Sequence, residues 1–142
     1  MNIRIAQSQD AEKLTGLFNQ LGYVSVSSEI ATRIVTRTDT ASSIMFVAEE
    51  GSTIVGMIAL HINFPFHESG KWGVISAFVV SDSARSKGIG AMLLRHAEFH
   101  AKSAGCTQIE LSSSEARIRA HEFYEKNGYS EKRKRFVKLY VN

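Results

Sequence analysis

Cysteine and proline are nearly missing from this chain, and each shortage excludes something. Cys106 is the only cysteine of the 142 residues, so the chain can form no internal disulfide and no thiolate metal cluster. It stands in Ala104-Gly105-Cys106-Thr107, between a helical and a strand pattern, where a small core residue is expected rather than a nucleophile. Pro65 is the only proline, so long regular elements meet little interruption. No apolar run approaches the roughly 18 residues of a membrane span, and residues 1–10 are polar, without the apolar core of a signal peptide. These absences lead us to expect a cytoplasmic protein with no membrane partner. No repeat, low-complexity tract or linker breaks the chain, so we expect a single domain over residues 1–142.

Neither sign of charge dominates. Seventeen Lys and Arg face 14 Asp and Glu, a net charge of +3. That excess suits a small anionic ligand and is too weak to argue for nucleic acid. Apolar residues make up 44% and charged residues 22%, the composition of a chain with a packed core.

Periodicity gives the order of elements. Residues 3–6 read as a strand. Ser8 can cap a helix that begins near Asp10, carries Leu14, Leu17, Phe18 and Leu21 on one face, and ends at Gly22. Ser27 or Ser28 can cap a second helix with Ile30, Ile34 and Val35. Residues 43–49 and 53–62 read as a hairpin about Glu50-Gly51. The second of these strands is almost wholly apolar from Ile54 to Leu60, as a strand covered on both faces should be. Residues 63–71 form a loop, 72–80 a strand, 88–104 a long helix stopped by Gly105, and 108–112 a strand. A short helix follows over 118–126, and residues 129–132 and 136–141 look like a closing strand pair. The order β-α-α-β-β-β-α-β-α-β-β predicts an α/β (α+β) fold: a mixed sheet with helices on both faces.

The most informative stretch joins the strand ending at Val80 to the long helix through Arg85-Ser86-Lys87-Gly88-Ile89-Gly90. Amides at a helix start lack an intrahelical acceptor, and the helix dipole adds partial positive charge there. The glycines let the backbone approach an anion closely; Arg85 and Lys87 add formal charge. This is a diphosphate site by its physics. It is not a P-loop, which needs Gly-x-x-x-x-Gly-Lys-Ser/Thr, nor a dinucleotide fingerprint, whose third glycine would fall at Leu93. The run from Val80 to Gly90 resembles the acetyl-CoA signature of the GNAT (Gcn5-related N-acetyltransferase) superfamily, and the element order is similar to that fold along essentially the whole chain. The resemblance implies a central sheet of about six to seven strands flanked by four helices. It also implies acetyl-CoA as cosubstrate, its pantetheine paired with backbone of Phe78, Val79 and Val80. The pyrophosphate would lie on the amides from Ser86 through Lys87, Gly88, Ile89 and Gly90 to Ala91.

A second stretch, Ala120-His121-Glu122-Phe123-Tyr124-Glu125-Lys126-Asn127-Gly128-Tyr129, resembles the family's Ala-x-x-Phe-Tyr-x-x-x-Gly-Phe/Tyr motif. Acetyl transfer to an amine needs two proton events. The ammonium must lose a proton before it attacks, and the departing thiolate should gain one. A tyrosine, with a pKa of about 10, can donate to a thiolate, so Tyr124 is the expected general acid. The base is less well marked. Many relatives carry a glutamate where this chain has Ser76, which can hold a water but cannot be the base alone. His61, Glu110 and His121 are the other candidates. A lone histidine in an apolar strand is more often a satisfied core residue.

The run Gly56-Met57-Ile58-Ala59-Leu60-His61, with Trp72-Gly73, Leu111-Ser112-Ser113 and the His121 motif, is similar to aminoalkylphosphonate N-acetyltransferases. That resemblance implies a small, anionic, amine-bearing acceptor attacked directly in a ternary complex. His61, His67 and Glu68 are too few to expect a metal. Arg117, Arg119, Lys132, Arg133, Lys134 and Arg135 offer guanidinium and ammonium groups to an anion, or simply a solvated edge that discourages strand association. Two other readings stay open: an acyl-CoA-binding sensor or interaction module that has lost catalysis, and acetylation of a peptide or protein. A homodimer is open to the chain through its terminal hairpin.

Overall fold

The computed structural model describes residues 1–84, 87–112, 118–132 and 135–140. They fall into two compact units, Met1–Ser112 and Ser113–Asn142. In the first, β1 (Asn2–Ile5) leads through a short 3-10 turn (Ser8–Asp10) into α1 (Ala11–Leu21) and then α2 (Ser27–Arg37). The strands β2 (Ser43–Glu50), β3 (Thr53–Asn63) and β4 (Lys71–Val80) follow, then a second 3-10 turn (Asp82–Ala84), α3 (Ile89–Ser103) and β5 (Cys106–Leu111). The sheet runs β1-β2-β3-β4-β5. Its first four strands are antiparallel to their neighbours, and β5 lies parallel to β4. The expected mixed sheet is therefore present.

Each helix of this first unit forms because one stripe of it is apolar and the sheet offers a face to cover. Leu14 and Leu17 of α1, Ile30 and Ile34 of α2, and Val47, Met57 and Val79 of the sheet make one buried cluster, with Met45, Ala59 and Ala77 packed against it. Those sheet positions are odd-numbered, as alternation requires; Ile54, in the same cluster, is even-numbered because a register shift at Ala48/Glu49 separates it from Gly56. The other face carries Phe46, whose ring meets His96 and His100 of α3 edge-on at 4.8 and 5.8 Å. Here α3 sits close. A Cβ on Gly56 would lie 2.8 Å from Leu93 Cδ1 and 3.2 Å from the Val79 carbonyl oxygen, so glycine lets the helix seat itself on β3.

The start of α1 differs from expectation. Ser8 opens the 3-10 turn instead of capping the helix. Asp10 does the polar work: its Oδ2 accepts the Gln7 backbone N–H at 2.8 Å, and Arg4 grips both its oxygens at 2.8 Å. Arg4 also donates to both Glu49 oxygens at 3.2 and 3.1 Å. Ser27 likewise lies inside α2 rather than before it, with Val26 at the cap position.

The second unit holds α4 (Ile118–Lys126), with the predicted bounds, closed by Gly128 at φ 91°. The expected closing strand pair is the main correction. Residues 129–132 and 135–140 carry no strand, while 133–134 and 141–142 lie outside the described residues. The described residues thus form five strands, against the six to seven expected. An alternating pattern becomes a strand only when a neighbour supplies the ladder and covers its apolar face. Phe136, Leu139 and Tyr140 are 93%, 82% and 88% exposed, so no described residue covers them.

Candidate active site

The site is organised by what happens along β4. Its register with β5 ends at Ile75 opposite Leu111, while β4 continues to Val80 beside β3. At that same point β4 bulges. Ile75 lies opposite Leu60 and Ala77 opposite Ala59, so Ser76 is the extra residue. Without the bulge, alternation would put Ser76 on the α3 face with Phe78. One inserted residue shifts the phase and turns it to the α1/α2 face. His61 of β3 and Ser43 of β2 lie on that face and are register partners.

Three polar side chains meet there across three strands. Ser43 Oγ lies 2.9 Å from His61 Nδ1, and His61 Nε2 lies 2.6 Å from Ser76 Oγ. His61 is half-buried and Ser76 exposed. Burial first, then the charge of Arg37 at the end of α2, holds the His61 imidazole below its ordinary pKa of 6.5. At neutral pH the ring is therefore neutral, with one nitrogen donating and one accepting. The structure joins two residues that the sequence offered separately as base and water holder. Ser43 and Arg37 were not singled out by sequence reasoning. The signal was the β2–β3 register, which pairs residue 43 with 61 once the hairpin turn at 51–52 is fixed.

At the far end of β4, Phe78, Val79 and Val80 register with Ile58, Met57 and Gly56. The exit from the strand is held by Gln20 of α1, a residue without any motif signal. Its Nε2 donates to the Val80 carbonyl at 2.8 Å, and its Oε1 accepts the Asp82 N–H at 3.1 Å. Gly88 precedes α3 in the left-handed region at φ 75°, and no side chain caps the helix. Only glycine enters that conformation without strain. Met92 N–H is bonded to the Gly88 carbonyl, so the amides of Ile89, Gly90 and Ala91 precede the first intrahelical bond, where they can donate to an anion. The Lys87 ammonium reaches Glu50 at 3.7 Å in an exposed pair, an attachment weak enough to exchange for a ligand phosphate. Arg85 and Ser86 lie outside the described residues.

The other candidates lie on other elements. Glu110 lies on β5 opposite Val74, with Gln108 Nε2 donating to it at 3.4 Å. In the second unit Tyr124 sits on α4, its ring edge-on to Phe123 at 5.6 Å and to Tyr129 at 6.0 Å. His121 is on the same helix. Of the basic cluster, Arg117, Arg133 and Lys134 lie outside the described residues, as does the Arg119 side chain, and Lys132 and Arg135 are exposed. His67 packs edge-on to Trp72 at 5.4 Å, and Trp72 Nε1 donates to Glu68 at 2.8 Å. Among the described residues no three His, Cys, Asp or Glu side chains converge as a metal site would require. Cys106, expected in the core, opens β5 half-buried, with burial pushing its thiol up despite nearby Lys71. No described helix is long and apolar enough to cross a membrane.

Comparison with known proteins gives consistent results. Residues 12–129 match the model of the acetyltransferase (GNAT) family. An aminoalkylphosphonate N-acetyltransferase of Salmonella typhimurium is 39% identical over 92 residues, 65% of this chain and 60% of that protein's length. The uncharacterized N-acetyltransferase YhfO of Bacillus subtilis is 29% identical over 92% of this chain and 91% of its own. Among solved structures, glucosamine-6-phosphate N-acetyltransferase from Arabidopsis thaliana superposes with a TM-score of 0.85 at 28% identity, covering 99% of this chain and 98% of that one.

Proposed function

The chain belongs to the acetyltransferase (GNAT) family, and from that premise we propose that it carries acetyl from acetyl-CoA to the primary amine of a small anionic acceptor, by direct attack in a ternary complex. The observation that carries this reading is the 2.6 Å contact between His61 and Ser76, at the residue where β4 parts from β5. The family's cosubstrate would lie along β4 beyond that point. Its pantetheine would meet the backbone of Phe78, Val79 and Val80, and its pyrophosphate the turn from Arg85 to Ala91.

The chemistry then runs on this chain's own groups. An ammonium cannot attack until it loses a proton. The Ser76 hydroxyl, directly or through a water it holds, takes that proton while giving its own to neutral His61 Nε2. The amine nitrogen bonds to the thioester carbonyl carbon and the carbon–sulfur bond breaks. The departing thiolate takes a proton from the general acid, the role the family resemblance implies for Tyr124, and the second proton shed by the nitrogen as the amide forms restores that acid. Because burial and Arg37 both oppose the charged imidazole, His61 stays available as an acceptor into mildly acidic solution.

An anionic acceptor is supported by two observations. The Salmonella and Arabidopsis relatives are named for substrates that pair an amine with a phosphonate or phosphate. In addition, Arg33 and Arg37 line a hollow of about 350 Å³ with Ser28, Glu29 and Thr32, and neither guanidinium is in an ion pair with a described residue. Thiol release from acetyl-CoA, measured over aminoalkylphosphonates, an amino sugar phosphate and neutral amines, tests the proposal. Release with the anionic amines supports it. CoA binding without release from any amine would leave a CoA-binding module as the better reading.

A further inference from the structure

Both nitrogens of His61 are engaged, yet its role as a base needs only one. We infer that Ser43 is the exit of a proton wire, Ser76–His61–Ser43, that carries the acceptor's proton through the sheet face to water. This rests on the proposed role of His61 as the base and goes beyond it by stating where the proton goes.

The two contacts are of one kind. Nε2 faces a serine hydroxyl at 2.6 Å and Nδ1 another at 2.9 Å. A hydroxyl donates and accepts equally well, and neutral imidazole does one at each nitrogen. A chain of hydroxyl, imidazole and hydroxyl can therefore pass a proton in at one end and out at the other without storing it. A carboxylate at Nδ1 would act differently, because it accepts only and would hold the ring as imidazolium. Nothing charged negative takes that place. Half-burial penalises the imidazolium, and the positive charge on Arg37 opposes it further. Passing the proton on is thus favoured over keeping it.

The outer end opens where the wire requires. Ser43 is the first residue of β2, and the turn before it, residues 39–42, is exposed. Thr40 holds the serine's backbone in place: its Oγ1 accepts the Ser43 N–H at 3.1 Å, and its own N–H is bonded to the Ser43 carbonyl at 3.0 Å. The step balances. The amine's proton passes to Ser76 Oγ, the Ser76 proton to His61 Nε2, the Nδ1 proton to Ser43 Oγ, and the Ser43 proton to water. Three neutral side chains remain, with the imidazole in its other tautomer. Once product leaves, the hydroxyls rotate and the ring proton returns to Nδ1 through water.

The test compares Ser43→Ala, Ser43→Thr and His61→Gln, each confirmed folded by its thermal melt. kcat and both KM values are measured, and kcat is also measured across mixtures of light and heavy water. Ser43→Ala should lower kcat about tenfold, a part of the full contribution of general base catalysis, with both KM values unchanged. Ser43→Thr, which restores the hydroxyl, should recover most of the loss. The dependence on deuterium fraction should be curved in the wild type, with several protons in flight, and straighten in Ser43→Ala. If Ser43→Ala keeps wild-type kcat and curvature while His61→Gln is slow, the wire is wrong and the base stands. If His61→Gln is also unimpaired, the base reading falls and takes the wire with it.

Discussion

Two polar clusters stitch the same sheet together, and they are built on opposite principles. At one edge Arg4 binds both oxygens of Asp10 and both of Glu49. Toward the other, Ser43, His61 and Ser76 meet across β2, β3 and β4. The first cluster consists of groups with fixed roles. Guanidinium only donates and carboxylate only accepts, so every proton has one place to be. Each partner deepens the other's charge state: Arg4 rises, and Asp10 and Glu49 fall, chiefly through the hydrogen bonds they share. The second cluster contains no formal charge, and each member can exchange roles. The first arrangement suits holding a strand to a helix start. The second suits moving a proton.

That contrast can be broken from either side. The largest effect expected is on rate. His61→Gln should lower kcat about a hundredfold, roughly 2.7 kcal/mol of barrier, and leave the melting temperature within a degree or two. Asp10→Ala should do the reverse. Asp10 is 3% exposed, and removing it leaves Arg4 and the Gln7 amide without their acceptor. A loss of about 2 kcal/mol in denaturant unfolding is expected, with kcat of the folded fraction unchanged. The sign with pH follows from the lowered Asp10 pKa. The fold binds fewer protons there than the unfolded chain, so the stabilisation is complete above pH 3.8 and is lost as pH falls through the depressed value. A smaller effect is expected at Arg37→Ala, where KM for an anionic amine should rise about tenfold and KM for a neutral amine should not move.

These clusters also mark how far the sequence could be read. The strand to Val80, Gly88 and the helix α3 were legible because they follow one another directly in the sequence. The strands and helices of residues 1–112 were legible because each carries a run of apolar residues at the spacing of its element. Ser8 failed as a cap because Asp10, two residues on, is the better acceptor once Arg4 folds back onto it. The terminal pattern at 129–141 was read as paired strands because alternation describes one strand and says nothing about its partner. Ser76 shows the same limit within the site. Alternation along β4 would have pointed it away from His61, and a bulge is invisible to a periodic reading. His61 and Ser76 were both found as candidates, but their contact depends on that one inserted residue, and Ser43 depends on the register of a hairpin.

The central claim, that neutral His61 takes the acceptor's proton through Ser76, is tested most directly by titrating His61 and the reaction together. The His61 ring can be followed by nuclear magnetic resonance while kcat is measured over the same pH range with saturating substrates. Burial and Arg37 place the His61 transition below 6.5, and the account predicts that kcat falls with that transition as pH is lowered. Arg37→Ala should shift both curves upward together. A rate that stays level while His61 becomes charged would contradict the claim.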